Sequence, residues 1–190
     1  MDVKSYLELI NLGEKLKNNT RHSYTSSGRH ESVAEHSWRL TLMAMFIRDE
    51  FPEADIDKVI RMCIVHDLGE AFTGDIPSFE KTDKHEEIER TMLEEWAEAL
   101  PQPYGSELRE LYAEMDALET VEAKLYKALD RLEAIIQHNE ADISTWLPLE
   151  YELQLTYGQD NMSFSEYLKK LRKQIDMETL SKIEEGKACS

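Results

Sequence analysis

Residues 64–75, IVHDLGEAFTGD, set an imidazole and a carboxylate side by side at the end of an apolar run. His66 and Asp67 are both donors suited to a divalent cation. As neighbours on a helix they sit about 100° apart, yet at a helix end they can converge on one ion. Glu70 follows four residues after His66 and three after Asp67. If the turn continues, it stands on their side, placed for a supporting or general acid/base role. Two residues elsewhere can complete a donor set. His36 shares a helix line with Val33, Leu40 and Met43, as His66 does with Val59, Met62 and Cys63. Asp130 lies beside Ala123, Tyr126 and Ala134. All three therefore face the interior side of their helices. A buried carboxylate without a partner is costly, and a metal ion removes that cost.

Each of these residues has an ordinary reading when taken singly. An inward histidine can be a hydrogen-bonded core residue. Asp130 can pair with Lys127 or lie beside Arg131, and Glu70 can end a helix in solvent. The order H…HD…D on three inward-facing helices is what supports a mixed His/carboxylate divalent site.

The elements that must carry these residues are helical. Helical periodicity recurs along the chain and no strand alternation is sustained. Tyr6, Leu7, Ile10 and Leu16 mark a first helix ending near Asn18 and Asn19, followed by a polar loop, NNTRHSYTSSGRHE. Ser32 and Glu35 form an S-x-x-E capping box that starts a second, central helix running to about Glu50. Asp55 caps a third helix, which ends at the HD doublet. An acidic helix over about 85–100 with one buried stripe precedes Pro101 and Pro103, and helical pattern resumes at Glu107. A long helix carries Leu118, Val121, Leu125, Leu129, Leu132 and Ile136. Pro148 breaks the chain, and Ser163 with Glu166 caps a last helix to about Glu185. The expectation is a single all-α domain over 1–190, a bundle of six or seven helices, in which helices over about 149–186 pack on the rest.

Composition narrows the function classes. The net charge of −17 over 190 residues argues against nonspecific grip on nucleic acid or an anionic membrane. It leaves room for a small anion, because a bound cation or a local arginine reverses the field in one pocket. The two cysteines, Cys63 and Cys189, offer no disulfide framework and suit a reducing compartment. The N-terminus has no signal pattern and no apolar run reaches membrane-spanning length. These features point to a cytoplasmic protein. Trp38 and Trp146 read as core or interface anchors, and Arg29 and Lys81 as surface cations.

His36, the His66-Asp67 doublet and Asp130 resemble the H…HD…D signature of the HD-domain metal-dependent phosphohydrolases, specifically the 5'-deoxynucleotidase branch. The similar stretches are RHESVAEHSW at 29–38, HDLGEAFTGDIP at 66–77 and KALDRLE at 127–133, within about residues 5–140. The resemblance implies that His36, His66, Asp67 and Asp130 hold one divalent cation, such as Co²⁺ or Mn²⁺. Glu70 is then the catalytic residue, handling the water or the leaving oxygen. Arg21 resembles the family's phosphate-binding arginine. Asp75, with Ile76, Pro77 and Ser78, resembles the segment that contacts the sugar. The implied reaction removes the 5'-phosphate of a (deoxy)nucleoside monophosphate, and a homodimer is the expected assembly. One position departs from the pattern: after the arginine, where the nucleotidase branch has tryptophan, stands His22. That position bears on sugar choice. His85 sits where two-metal relatives place an extra histidine, but no further histidine lies between it and Asp130, which favours one metal. The competing readings are a phosphohydrolase of cyclic or polyphosphorylated nucleotides and a non-catalytic helical module that keeps a metal for structure.

Overall fold

The computed structural model describes residues 1–188 of the chain, so the Cys189 reading lies outside the described residues. Three helices form the centre. Helix α3 (Val33–Phe46) starts at the expected capping box: Glu35 N–H donates to Ser32 Oγ at 3.2 Å, and Ser32 N–H donates to Glu35 Oε2 at 2.9 Å. Asp55 caps α4 (Ile56–Val65), and Thr120 caps α8 (Val121–Glu140). Their inward stripes meet in one core containing Leu40, Met62, Leu125, Leu129 and Leu132, all essentially without solvent exposure. Cys63 is part of this core, where burial pushes its thiol far up and makes it inert.

The all-helical reading holds, with finer segmentation. The first helix divides at Asn11 into α1 (Val3–Ile10) and α2 (Leu12–Asn18). A single turn, α5 (Glu70–Thr73), follows α4, and α6 (Asp83–Glu98) and α7 (Tyr104–Ala117) come next. Leu118 is the left-handed cap of α7 (φ 50°) and not a member of the long helix. After Pro148 come α9 (Glu150–Thr156) and α10 (Glu166–Ala188). The hydroxyl reaching the first turn of α10 belongs to Ser165, whose Oγ accepts from Leu168 N–H at 3.4 Å, whereas Ser163 follows a short 3-10 turn.

The polar segment read as a loop is instead an antiparallel hairpin, β1 (Thr20–Tyr24) with β2 (His30–Ser32). Its turn needs Gly28 at φ +82°. The strands are short, polar and irregular in register, so period-2 alternation cannot reveal them. Tertiary partners hold them in place: Gln137 Nε2 of α8 donates to Tyr24 O at 2.8 Å. Strand β1 thereby lies along α8, which brings Arg21 and His22 to the middle of the bundle. On the far side of α8, Asn139 Nδ2 donates to Thr179 Oγ1 of α10 at 2.9 Å. Arg172 of α10, nearly fully buried, donates to the carbonyls of Gln154 (2.7 Å) and Tyr157 and so ties down α9. Trp146 is buried with its indole N–H on His138 O, whereas Trp38 is exposed on α3.

The core assignment predicts a contrast in stability. Leu132→Ala should cost about 2–5 kcal/mol in denaturant unfolding. Phe46→Ala, at a side chain 83 % exposed, should change stability by no more than about 0.5 kcal/mol.

Candidate metal centre and active-site cavity

The HD doublet sits where α4 loses its helical continuation. His66 is the C-cap of α4, its N–H still bonded to Met62 O at 3.0 Å. The chain then runs through tight i→i+3 turns: Glu70 N–H donates to Asp67 O at 3.1 Å. This keeps Glu70 on the side of the doublet, as its spacing suggested. Asn19, at the end of α2, fixes that turn by donating from Nδ2 to Glu70 O at 2.6 Å. Gly74, at φ +80°, then swings the chain so that Asp75 returns to the same cavity.

Four donor atoms from three helical segments converge. His36 Nε2 and His66 Nε2 are 3.2 Å apart, and His66 Nε2 is 3.0 Å from Asp67 Oδ2. Asp130 Oδ1 lies 3.4 Å from His36 Nε2 and 3.7 Å from His66 Nε2, and His36 Nε2 is 3.8 Å from Asp67 Oδ2. The three shortest separations match the ligand–ligand edges of roughly 3.0–3.5 Å expected for an ion with bonds of about 2.1 Å, and the other two, 3.7 and 3.8 Å, are slightly wider. The remaining ring nitrogens are already used. His66 Nδ1–H donates to Cys63 O at 2.9 Å, and His36 Nδ1–H donates to Glu133 Oε2. Both Nε2 atoms are therefore the ones aimed at the common point. Two imidazole nitrogens and two carboxylate oxygens this close need positive charge, which a proton on His36 supplies when no ion is bound, and the donor types fit a divalent cation.

The protonation pattern agrees. Burial and the Arg21 guanidinium oppose a charged His36, but Glu133 and Asp130 outweigh them and hold it at about 9. Burial works against ionised Asp67 and Asp130, yet both stay well below the usual carboxylate range: Asp67 through His66 and His36, Asp130 through Lys127 and the two histidines. Lys127 Nζ donates to Asp130 Oδ2 at 3.0 Å, so Asp130 uses one oxygen for the lysine and turns the other to the histidines. Glu70 behaves differently. Burial, then Asp67, Asp75 and Glu89, push its carboxyl up to about 10, and its Oε2 is buried without a hydrogen-bond partner.

The centre opens into a cavity of about 530 Å³. Every residue proposed from the sequence to meet substrate lines it: Arg21, His22, Asp75, Ile76, Pro77 and Ser78, together with Asp67, Glu70 and Asp130. Lys81 also lines it, paired with Glu89 at 2.7 Å, whereas Arg29 is spent on Glu35 at the surface. His85 is not among the lining residues; its Nδ1 accepts from Thr82 N–H and caps α6. The opposite wall comes from α8 and α9, including Lys127, His138, Glu150 and Gln154. Glu150 stands between two rings, Oε1 3.0 Å from His22 Nε2 and Oε2 3.2 Å from His138 Nε2. The sequence reading missed this wall, and also the buried acids Glu31 and Glu133 behind His36. Glu133 carried a legible signal, since it lies one turn beyond Asp130 on an otherwise apolar face.

The sequence profile of the HD domain matches residues 13–172. The chain belongs to the HD-domain family. It is 34 % identical over 143 residues to human 5'-deoxynucleotidase HDDC2, covering 73 % of this chain and 69 % of that protein. It is 33 % identical over 148 residues to the Dictyostelium discoideum protein of the same name, covering 73 % and 78 %. Among solved structures, a predicted metal-dependent phosphohydrolase from Magnetospirillum magnetotacticum MS-1 superposes with a TM-score of 0.79 at 27 % identity, over 95 % of this chain and 93 % of that one. In this HD domain the described residues include no helix long and apolar enough to cross a membrane.

Because His36 keeps a proton to about pH 9 unless an ion displaces it, metal affinity should rise as pH increases toward that value. Calorimetric Mn²⁺ titrations at pH 7 in buffers of different ionisation enthalpy should register release of about one proton. Binding with no proton release would contradict this picture.

Proposed function

We propose that this HD-domain protein is a metal-dependent 5'-nucleotidase that hydrolyses deoxynucleoside monophosphates. The observation that carries the reading is the shared cavity: Asp67 and Asp130 of the donor set line one space of nucleotide size together with Glu70 and Arg21. His36, His66, Asp67 and Asp130 would hold one divalent cation, with Co²⁺ and Mn²⁺ the preferred candidates. When bound, it supplies Lewis acidity toward the phosphoryl group and lowers the pKa of water.

The chain's own groups do the rest. Arg21 contacts Glu31 and Glu133 through Nη1, which leaves its other donors for a phosphate. Lys127 adds positive charge on the opposite side of the cavity. Together with a bound cation they would offset the acidic field in this one pocket. Glu70, 5 % exposed and beside Asp67, is placed to give a proton to the leaving 5'-oxygen. Asp75 and the turn through Ile76, Pro77 and Ser78 form the wall where the sugar would lie. His22, held against Glu150, makes that wall polar, which supports acceptance of a 2'-hydroxyl as well as deoxyribose. The net charge supports a small-molecule substrate and disfavours nucleic acid and anionic membrane as partners. The same reading places the protein in the cytoplasm as a single domain over 1–190, and as a homodimer that covers apolar residues such as Met177 and Leu180, exposed on α10.

The test is a panel of ribo- and deoxyribonucleoside 5'-monophosphates assayed with several divalent metals. Phosphate release with Mn²⁺ or Co²⁺, abolished by chelator, is expected. Glu70→Gln should remain folded and metal-loaded while kcat falls by at least about 10²-fold. Arg21→Met should act mainly through KM. No phosphate release from any monophosphate by the metal-loaded protein would overturn the reading, and full activity in Glu70→Gln would overturn the role of Glu70.

A further inference from the structure

Behind the donor set lies a second layer of charge that the proposed reaction does not use directly. Glu133 is fully buried and Glu31 is 2 % exposed. A single oxygen, Glu133 Oε2, accepts from His36 Nδ1–H and lies 3.4 Å from Arg21 Nη1. Glu31 Oε2 lies 3.3 Å from the same Nη1. On the far side, Arg39 Nε approaches the other oxygen of Glu133 at 3.8 Å, while its Nη2 is bound to Glu140 at 2.7 Å. Glu133 therefore touches a metal-facing imidazole and a cavity-facing guanidinium at once. Glu31 pairs with the guanidinium, and its carboxylate lies within 4.8 Å of a His36 ring nitrogen and a Glu133 oxygen with no hydrogen bond to the imidazole.

We propose that Glu133 is a positioning residue that couples the ion site to the phosphate site, while Glu31 positions Arg21 alone. The inference rests on the reading of Arg21 as the phosphate-binding group. The physical case has two parts. A carboxylate on Nδ1–H fixes the tautomer and ring plane of His36 and increases the basicity of its Nε2, which strengthens ion binding. The same carboxylate anchors one nitrogen of the Arg21 fork, leaving the others pre-aimed at an anion. Stability alone is a weak reason for such a network, because buried ion pairs are often no more stabilising than apolar groups of the same size. The two acids therefore predict separable losses.

The test is calorimetric titration of the full-length protein with Mn²⁺, and of the Mn²⁺-loaded protein with inorganic phosphate. Glu133→Gln should weaken Mn²⁺ binding by about 10–100-fold and phosphate binding by roughly 10-fold. Glu31→Gln should leave Mn²⁺ affinity within about 2-fold of wild type and weaken phosphate by a similar order to Glu133→Gln. Unchanged Mn²⁺ affinity in Glu133→Gln would overturn the proposal. So would an equal loss of Mn²⁺ affinity in both variants, or unchanged phosphate affinity in both. If Glu133→Gln does not fold, Glu133→Asp carries the test: its shortened reach should lower Mn²⁺ affinity, and wild-type affinity there would overturn the proposal. Neither titration requires turnover. A wild-type protein that binds Mn²⁺ and phosphate yet hydrolyses no monophosphate would defeat the nucleotidase reading while leaving the Glu133 result interpretable.

Discussion

Two imidazole nitrogens, His36 Nε2 and His66 Nε2, stand 3.2 Å apart and each lies 3.0–3.8 Å from an oxygen of Asp67 and of Asp130, a crowding that needs positive charge, and the rest of the molecule answers to that constraint. Helices α3, α4 and α8 must pack tightly enough to bring His36, the HD doublet and Asp130 to one point. The apolar core of Leu40, Met62 and Leu129 lies just behind these donors and sets their spacing. Close packing of this kind does not relax to separate the donors, so the fold keeps them gathered.

The charge arrangement around this point is graded. Asp67 and Asp130 stay ionised because histidines and Lys127 face them, whereas burial and the carboxylates of Asp67, Asp75 and Glu89 push Glu70 up against the opposing pull of Arg21. Neighbouring carboxyls with opposed tendencies are a common basis for dividing labour between binding and proton transfer. Outside them, Arg21 and Lys127 bring two cations to the cavity of an acidic protein, each already paired with a carboxylate. Glu150, between His22 and His138, gives the far wall its polar character.

Much of the centre was legible in the linear chain. His36, His66 and Asp130 recur with apolar residues at helical spacing, so their inward direction follows from periodicity alone. The Ser32-Glu35 box correctly marks the start of α3. The hairpin was not legible: Arg21 and His22 lie on a short polar strand that acquires its shape from Gln137, more than a hundred residues away. Glu31, Glu133 and Glu150 were missed for a related reason. Apart from the spacing of Glu133 from Asp130, a buried acid is recognisable only by the partner that neutralises it: Glu133 and Glu150 find theirs across the bundle, and Glu31 finds Arg21 on the neighbouring strand of the hairpin that the sequence did not reveal. The splitting of the first helix at Asn11 and the left-handed Leu118 are local backbone events that hydrophobic pattern does not register.

Anomalous diffraction from crystals soaked in Mn²⁺ tests the central claim most directly. The account predicts one strong peak per chain, bounded by His36 Nε2, His66 Nε2, Asp67 Oδ2 and Asp130 Oδ1, with Glu133 still on His36 Nδ1. Two peaks in the cavity, or a single peak that leaves out His36 or Asp130, would contradict it.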